Sequence, residues 1–192
     1  IPESGCEWGC FDYSLLEPRL VVHYASLDQD SSVFNVKDAY NEGDADFHTI
    51  VAKMAQIPRD QAKTINLGLF YGMGKAKLQA ELGVSKDKAE DLFSVYHNRV
   101  PFVRTLMKSV SNRAQQRGQI RTLLGRLCRF HLWEPNTFGM HKALPFEQAV
   151  QEHGPGIKRA YTYKALNKLI QGSAADMTKK SMLDLYKEGI VA

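Results

Sequence analysis

The stretch 58–74, PRDQAKTINLGLFYGMG, constrains this chain more than any other. Within it Arg59, Lys63, Leu67 and Tyr71 recur at every fourth residue. At about 3.6 residues per turn, that spacing lays two cations, an apolar side chain and a phenol along one slowly drifting helical stripe. Pro58 suits a first helical position, and Gly72 and Gly74 suit a C-cap, so the spacing predicts a helix over 58–74. Two cations four residues apart repel each other on a bare helix and need an anionic partner or open water. A polyphosphate meets the first need, with a flat base or sugar against Leu67 and Tyr71. A solvated basic edge on an amphipathic helix meets the second.

Charge along the chain is segregated far more than a net +4 implies. Residues 1–48 carry ten acids against two bases, Arg19 and Lys37. Residues 92–133 carry no acid and eight bases, seven of them Arg. One face that draws metal ions and another that draws phosphate follow from this, and Arg is the better phosphate fork. With 192 residues and 44% hydrophobic content, one sizeable core is expected, in one or two domains. No apolar run reaches the length of a membrane span, and the start IPESGCEWGC lacks the pattern of a secretion signal, so a cytoplasmic setting is the expectation. Cys6, Cys10 and Cys128 are odd in number and form no CxxC pair, which favours reduced thiols over disulfides or zinc.

Read in order, residues 8–12 form a short buried strand that ends on Asp12, and a helix follows from Glu17 to about Leu27. The acidic stretch 28–46 is a loop, and a helix runs from His48 to Gln56. Ser85 caps a helix whose inner face is Ala89, Leu92, Phe93 and Tyr96. Pro101 opens the next, with Val103, Leu106, Met107, Val110 and Ala114 inward and Gly118 at its end. Residues 119–130 make a hairpin around Gly125. Residues 131–158, rich in Pro, Gly and His, read as a loop region. The helical pattern returns from Gly156, with Leu166, Leu169, Ile170, Ser173 and Met177 on one stripe and Gly172 marking a close approach. The expected fold is mainly α with a small β component (α+β). Gly72-Met73-Gly74-Lys75 echoes a phosphate loop, but Leu69 and Ala76 stand where that motif needs Gly and Ser or Thr.

Several of these segments together resemble the family A DNA polymerases. RDQAKTINLGLFYG is similar to their motif B, R-x-x-x-K-x-x-x-[FY]-G-x-x-Y-G, with Leu67 in the place of the usual aromatic residue. FDYSLLEPRL resembles motif A, D-Y-S-x-x-E-x-R, and GDADFHT resembles the G-D-x-H segment with one residue added. Thr122, Gly125 and Arg126 match T-L-x-G-R, and LNKLIQGSAAD resembles the helix before the last catalytic motif. The resemblance implies a helical fingers subdomain on a partial palm: residues 1–32 as palm with motif A, 33–158 as fingers, and 159–192 as a helix returning to the palm.

It also implies roles. Asp12 matches the first metal-binding carboxylate, and Tyr13 the residue whose carbonyl joins it. Glu17 matches the acid under the sugar 2′ position. His48, Arg59 and Lys63 match the groups on the triphosphate, and Leu67 and Tyr71 those near sugar and base. Arg126, Asn167 and Gln171 match contacts to DNA. The implied activity is nucleotidyl transfer from a deoxynucleoside triphosphate to a primer 3′-hydroxyl, with Asp12 and Lys63 in the catalytic set and two magnesium ions. The implied partners are primer–template DNA, deoxynucleoside triphosphates and the remainder of a polymerase chain, in a bacterial cell or phage-infected host. A His-Asp-Glu motif would carry the second carboxylate, and no His-Asp pair occurs in this sequence. The expectation is therefore an excerpt that does not extend primers alone. A non-catalytic helical module that binds nucleic acid through its Arg-rich segment is the competing reading.

Overall fold

A computed structural model describes residues 4–190, apart from residues 6, 29–30, 43–45, 71 and 138 and the side chains of 54 and 55. The chain folds as α1 (Leu16–Leu27), α2 (Phe34–Glu42), α3 (Phe47–Ala55), α4 (Arg59–Phe70), α5 (Lys75–Leu82), α6 (Lys86–Arg99) and α7 (Pro101–Arg117). The hairpin β1 (Gln119–Arg121) and β2 (Leu127–Arg129) comes next, followed by β3 (Trp133–Pro135), α8 (Phe146–His153), β4 (Ile157–Arg159) and α9 (Ala165–Lys187). Both strand pairs are antiparallel, with Ile120 opposite Cys128 in one and Glu134 opposite Lys158 in the other. The architecture is an α-rich α+β fold. Among the described residues no helix is long and apolar enough to cross a membrane.

One continuous core joins two groups of helices. In the first, α1 packs on α2, α7 and α9; in the second, α3 packs on α4 and α6, and α5 on α4 and α6. Phe47, fully buried at the start of α3, links them. Its ring lies 5.6 Å from Phe70 of α4 and 6.3 Å from Phe102 of α7. Aromatic rings at these separations add attraction beyond the area they bury.

The helices start and stop where side chains satisfy their ends. Asp46 caps α3 by accepting from the His48 N–H at 3.0 Å. Ser85 caps α6 by accepting from Lys88 N–H at 3.2 Å, and Pro101 occupies the first turn of α7. Gly125 turns the hairpin at φ +87°, a backbone region that favours glycine.

Five expectations need correction. Residues 7–13 form no strand and are exposed, with Trp8 at 78% and Phe11 at 66%. The stretch taken as a loop over 28–46 holds a 3-10 turn at Ser31–Val33 and the helix α2. Val33, Val36 and Tyr40, spaced three and four apart, turn inward there, and the surrounding acids hid that stripe. The helix expected over 58–74 ends at Phe70, because Gly72 takes φ +76° and its N–H turns back to Leu69 O. Residues 131–158 contain β3, α8 and the start of β4, with Arg159 stacked 4.5 Å over Trp133. The helix expected from Gly156 begins only at Ala165, because β4 pairs with β3 and a 3-10 turn at Thr162–Lys164 comes first.

Gly172 in α9 meets the hairpin side chain to backbone. A Cβ there would lie 2.7 Å from Thr122 Cγ2. Overpacking costs about 1–3 kcal/mol, against roughly 1 kcal/mol gained in helix propensity. Gly172→Ala is therefore expected to lower stability by about 1 kcal/mol in urea denaturation. In a Thr122→Ser background, which keeps the hydroxyl and removes the methyl, the same change is expected to become neutral or stabilising.

Candidate nucleotide site

Arg59, Lys63 and Leu67 of the four-residue stripe lie outside the buried side of α4. Ala62, Ile65, Asn66, Leu69 and Phe70 are buried, Arg59 and Lys63 are exposed, and Leu67 is half-buried. Tyr71, the last member of the stripe, lies outside the described residues. Leu67 borders a shallow cavity with Thr64, Gly68, Met73 and Lys77.

Next to this face, the N-terminal turn of α3 carries His48, only 4% exposed. Its Nδ1 is 3.0 Å from the Asn66 amide nitrogen, and the Asn66 amide oxygen accepts from the Tyr96 hydroxyl at 2.9 Å. Asn66 and Tyr96 are fully buried, so α3, α4 and α6 share one internal polar chain. Burial pushes the His48 imidazole below its ordinary range. The charges of Arg59 and Lys63 act in the same direction, and Asp46 opposes them. Arg59 and the turn that carries His48 are joined through the Asp46 carboxylate, and Lys63 follows one turn after Arg59 on the same helix.

Asp46 is the counter-charge of this cluster. Its carboxylate takes Arg59 Nε at 2.6 Å and the Thr49 hydroxyl at 2.7 Å, in addition to the capping N–H. Burial would raise its pKa, but the Thr49, Arg59 and His48 hydrogen bonds outweigh that and hold it at about 2. Lys63 has no ion-pair partner among the described residues.

Asp12 and Tyr13 stand elsewhere, on the segment leading into α1. They line a groove of about 470 Å³ with Leu16 and with Thr178, Ser181 and Met182 of α9. The Tyr13 and Ser181 hydroxyls are hydrogen-bonded. Leu15 turns the chain into α1 at φ +54°, a left-handed conformation that costs a leucine roughly 1 kcal/mol or more. Glu17, in the first turn of α1, is half-buried, and burial raises its carboxyl. Arg19 ties this segment to α2. Its Nε donates to Ser14 O at 3.1 Å, and its guanidinium lies 4.7 Å over the Tyr40 ring. Burial pushes the Tyr40 phenol up, and the Arg19 charge opposes that rise.

Arg126 serves a third location. Its guanidinium bonds Asp176 at 2.9 Å and Gly172 O at 2.7 Å, while half of its side chain stays exposed. The Thr122 hydroxyl also bonds Asp176, and Ser173 accepts from Leu123 N–H at 3.0 Å while pairing with Tyr24 at 2.7 Å. Asn167 and exposed Gln171 lie one helical turn apart on the same α9. Sequence reasoning missed Asp46, Asn66, Tyr96 and Thr122 as polar partners. The signal for Asn66 was present: it is polar at a buried position of the stripe Ala62, Ile65, Asn66, Leu69.

Asp12 and the Tyr13 carbonyl are hard oxygen donors of the kind magnesium takes. Among the described residues, however, no group of three or more His, Cys, Asp or Glu could hold a metal ion.

A buried imidazole lies against α4, which carries two exposed cations, on an α-rich frame with small antiparallel strand pairs. The chain belongs to DNA polymerase family A, whose sequence profile matches residues 1–190. It is 32% identical to a DNA-directed DNA polymerase of Pseudomonas phage M6, covering 99% of this chain and 32% of the phage protein. It is 30% identical to DNA polymerase I of Bacillus caldotenax, covering 95% of this chain and 19% of that protein. A solved structure described as the POL domain of Pol1 from M. smegmatis in complex with DNA primer-template and dNTP superposes with a TM-score of 0.67. It shares 28% identity over 93% of this chain and 30% of that one. The chain therefore spans a third or less of the length of these relatives.

The Asp46 cap is open to test. An N-cap is worth about 0.5–2 kcal/mol. Asp46→Ala is expected to lower stability by about 1–2 kcal/mol at pH 7. Because the folded carboxyl is held below its unfolded value, its contribution is full above pH ~4 and fades as the pH falls toward 2. The difference in urea midpoint between wild type and variant should shrink over that window.

Proposed function

We propose that this chain holds the incoming deoxynucleoside triphosphate during template-directed DNA synthesis. The joining of Arg59 to the His48 turn through Asp46, with Lys63 one turn further along α4, carries the reading. The three groups would take the triphosphate, and Leu67 and Tyr71 would lie against sugar and base. Glu17 would close the space under the 2′ position and disfavour ribonucleotides. Arg59 would exchange its Asp46 carboxylate for phosphate oxygens, a trade between two charge-assisted pairs. Arg126, Asn167 and Gln171 would lie along the primer–template, with residues 1–32 and 159–192 as palm and 33–158 as fingers.

Asp12 and the Tyr13 carbonyl would contribute to the magnesium site of a complete enzyme, in which metal ions activate the attacking 3′-hydroxyl and stabilise the leaving oxygen. The donors described here do not make up that site. The 192 residues are thus proposed to bind nucleotide without extending primers. The relatives named as DNA polymerases and the neighbour described with primer-template and dNTP support the assignment of partners.

A second reading has its own observation. In the acid-free segment Arg113 pairs with Asp28 and Arg126 with Asp176, while Arg99, Arg104, Lys108, Arg117 and Arg129 are exposed with no acidic partner among the described residues. A module binding nucleic acid through that surface would not depend on Lys63 for nucleotide. A hydrogen bond to a charged group is worth roughly 1.5–3 kcal/mol. Lys63→Ala is therefore expected to weaken dATP binding about tenfold or more by isothermal titration. An unchanged dATP affinity would favour the module.

A further inference from the structure

The buried chain Tyr96–Asn66–His48 has a direction set by its proton inventory. A phenol can donate only one proton, and Tyr96 is fully buried with Asn66 as its hydrogen-bond partner. Burial pushes its pKa up, so the proton stays on the oxygen. That proton goes to the Asn66 carbonyl oxygen at 2.9 Å. The amide is then oriented, and its NH2 end faces His48 Nδ1 at 3.0 Å. An NH2 group has no lone pair to offer, so Nδ1 must accept, and a neutral imidazole must carry its proton on Nε2.

We propose that Asn66 is a positioning residue for nucleotide binding: locked by the Tyr96 hydroxyl, its amide fixes His48 as the Nε2–H tautomer, an obligate donor toward a triphosphate oxygen. The inference rests on the nucleotide reading above. Phosphate oxygens only accept, so the opposite tautomer would present a lone pair to them and repel. Protonation to the imidazolium would also supply a donor; burial disfavours it above all, Asp46 favours it, and the Arg59 and Lys63 charges disfavour it. The buried amide achieves with a tautomer what the site cannot readily achieve with charge. Partners behind a functional imidazole set its orientation and protonated nitrogen in the same manner at metal sites.

The test is long-range ¹H–¹⁵N spectroscopy of the ¹⁵N-labelled 192-residue chain at pH 7.5, with the His48 signals identified by their loss in His48→Gln. The expected result is a protonated Nε2 and a bare Nδ1. A protonated Nδ1 in the wild type would overturn the proposal. Tyr96→Phe removes the orienting proton far from any ligand and lets the amide turn. It is expected to produce a measurable Nδ1–H population and to raise the dATP Kd two- to fivefold, in proportion to the competent tautomer lost. An imidazole that stays wholly in the Nε2–H form in Tyr96→Phe would also overturn it. Asn66→Asp is the second variant, because its carboxylate accepts from both neighbours and preserves both contacts. Nδ1 should then gain a proton, and a bare Nδ1 would count against the lock. If the tautomer results hold while dATP affinity is indifferent to Lys63→Ala, the nucleotide reading fails and the ligand role falls with it.

Discussion

The arrangement depends on a polar junction buried where α3, α4 and α6 meet. Tyr96 donates to Asn66, and Asn66 meets His48, with Asn66 and Tyr96 fully enclosed. In low dielectric a satisfied chain of this kind is strong, and a broken one leaves groups whose desolvation costs about 1–3 kcal/mol each. That asymmetry gives the helices one register. Phe47, immediately before His48, packs on Phe70 and Phe102, so an apolar and a polar contact fix the same turn of α3 from two sides.

The cationic face follows from that register. At about 100° per residue, Arg59 lies about 20° and Lys63 about 60° around the helix from Asn66, so the two cations emerge at the exposed edge of the core stripe, beside the buried polar chain. Asp46 completes the arrangement by three simultaneous roles: it caps α3, receives Thr49 and holds Arg59. A single carboxylate thus links the end of one helix to the charge of the next. At the far end of the molecule Asp176 plays a comparable part, binding Thr122 and Arg126 so that the β1–β2 hairpin sits on α9. Charge segregation along the sequence is accordingly cancelled in part in three dimensions, by Arg113 with Asp28 and Arg126 with Asp176, and left uncancelled on the outer face of α7.

Much of this was legible in the sequence, for definite reasons. The period of four in α4, the Ser85 cap, the Pro101 start and the Gly125 turn are local signals, and each was met. Gly172 was read as a close approach and lies against Thr122. What failed was non-local. The segment before Asp12 looked like a strand because Trp8 and Phe11 are apolar, yet both are exposed; apolar character alone does not provide a strand partner. The helix α2 was obscured because it turns only Val36 and Tyr40 inward, with Val33 of the preceding 3-10 turn, in a stretch rich in acids. Asn66 and Tyr96 sit 30 residues apart, and no spacing rule pairs them. The metal-ligand and DNA-contact roles of Asp12, Tyr13, Asn167 and Gln171 rest on resemblance to the family motifs, because local geometry at these residues carries no signature of its own.

The central claim is that the turn holding His48 and the outer face of α4 together grip a triphosphate. Photo-crosslinking with a dATP analogue bearing an aryl azide on its γ-phosphate, followed by peptide mapping, tests it most directly. The account predicts adducts on the peptides carrying His48, Arg59 and Lys63, suppressed by excess unmodified dATP. Labelling confined to the Arg104–Arg117 face of α7, or indifferent to competing dATP, would contradict it.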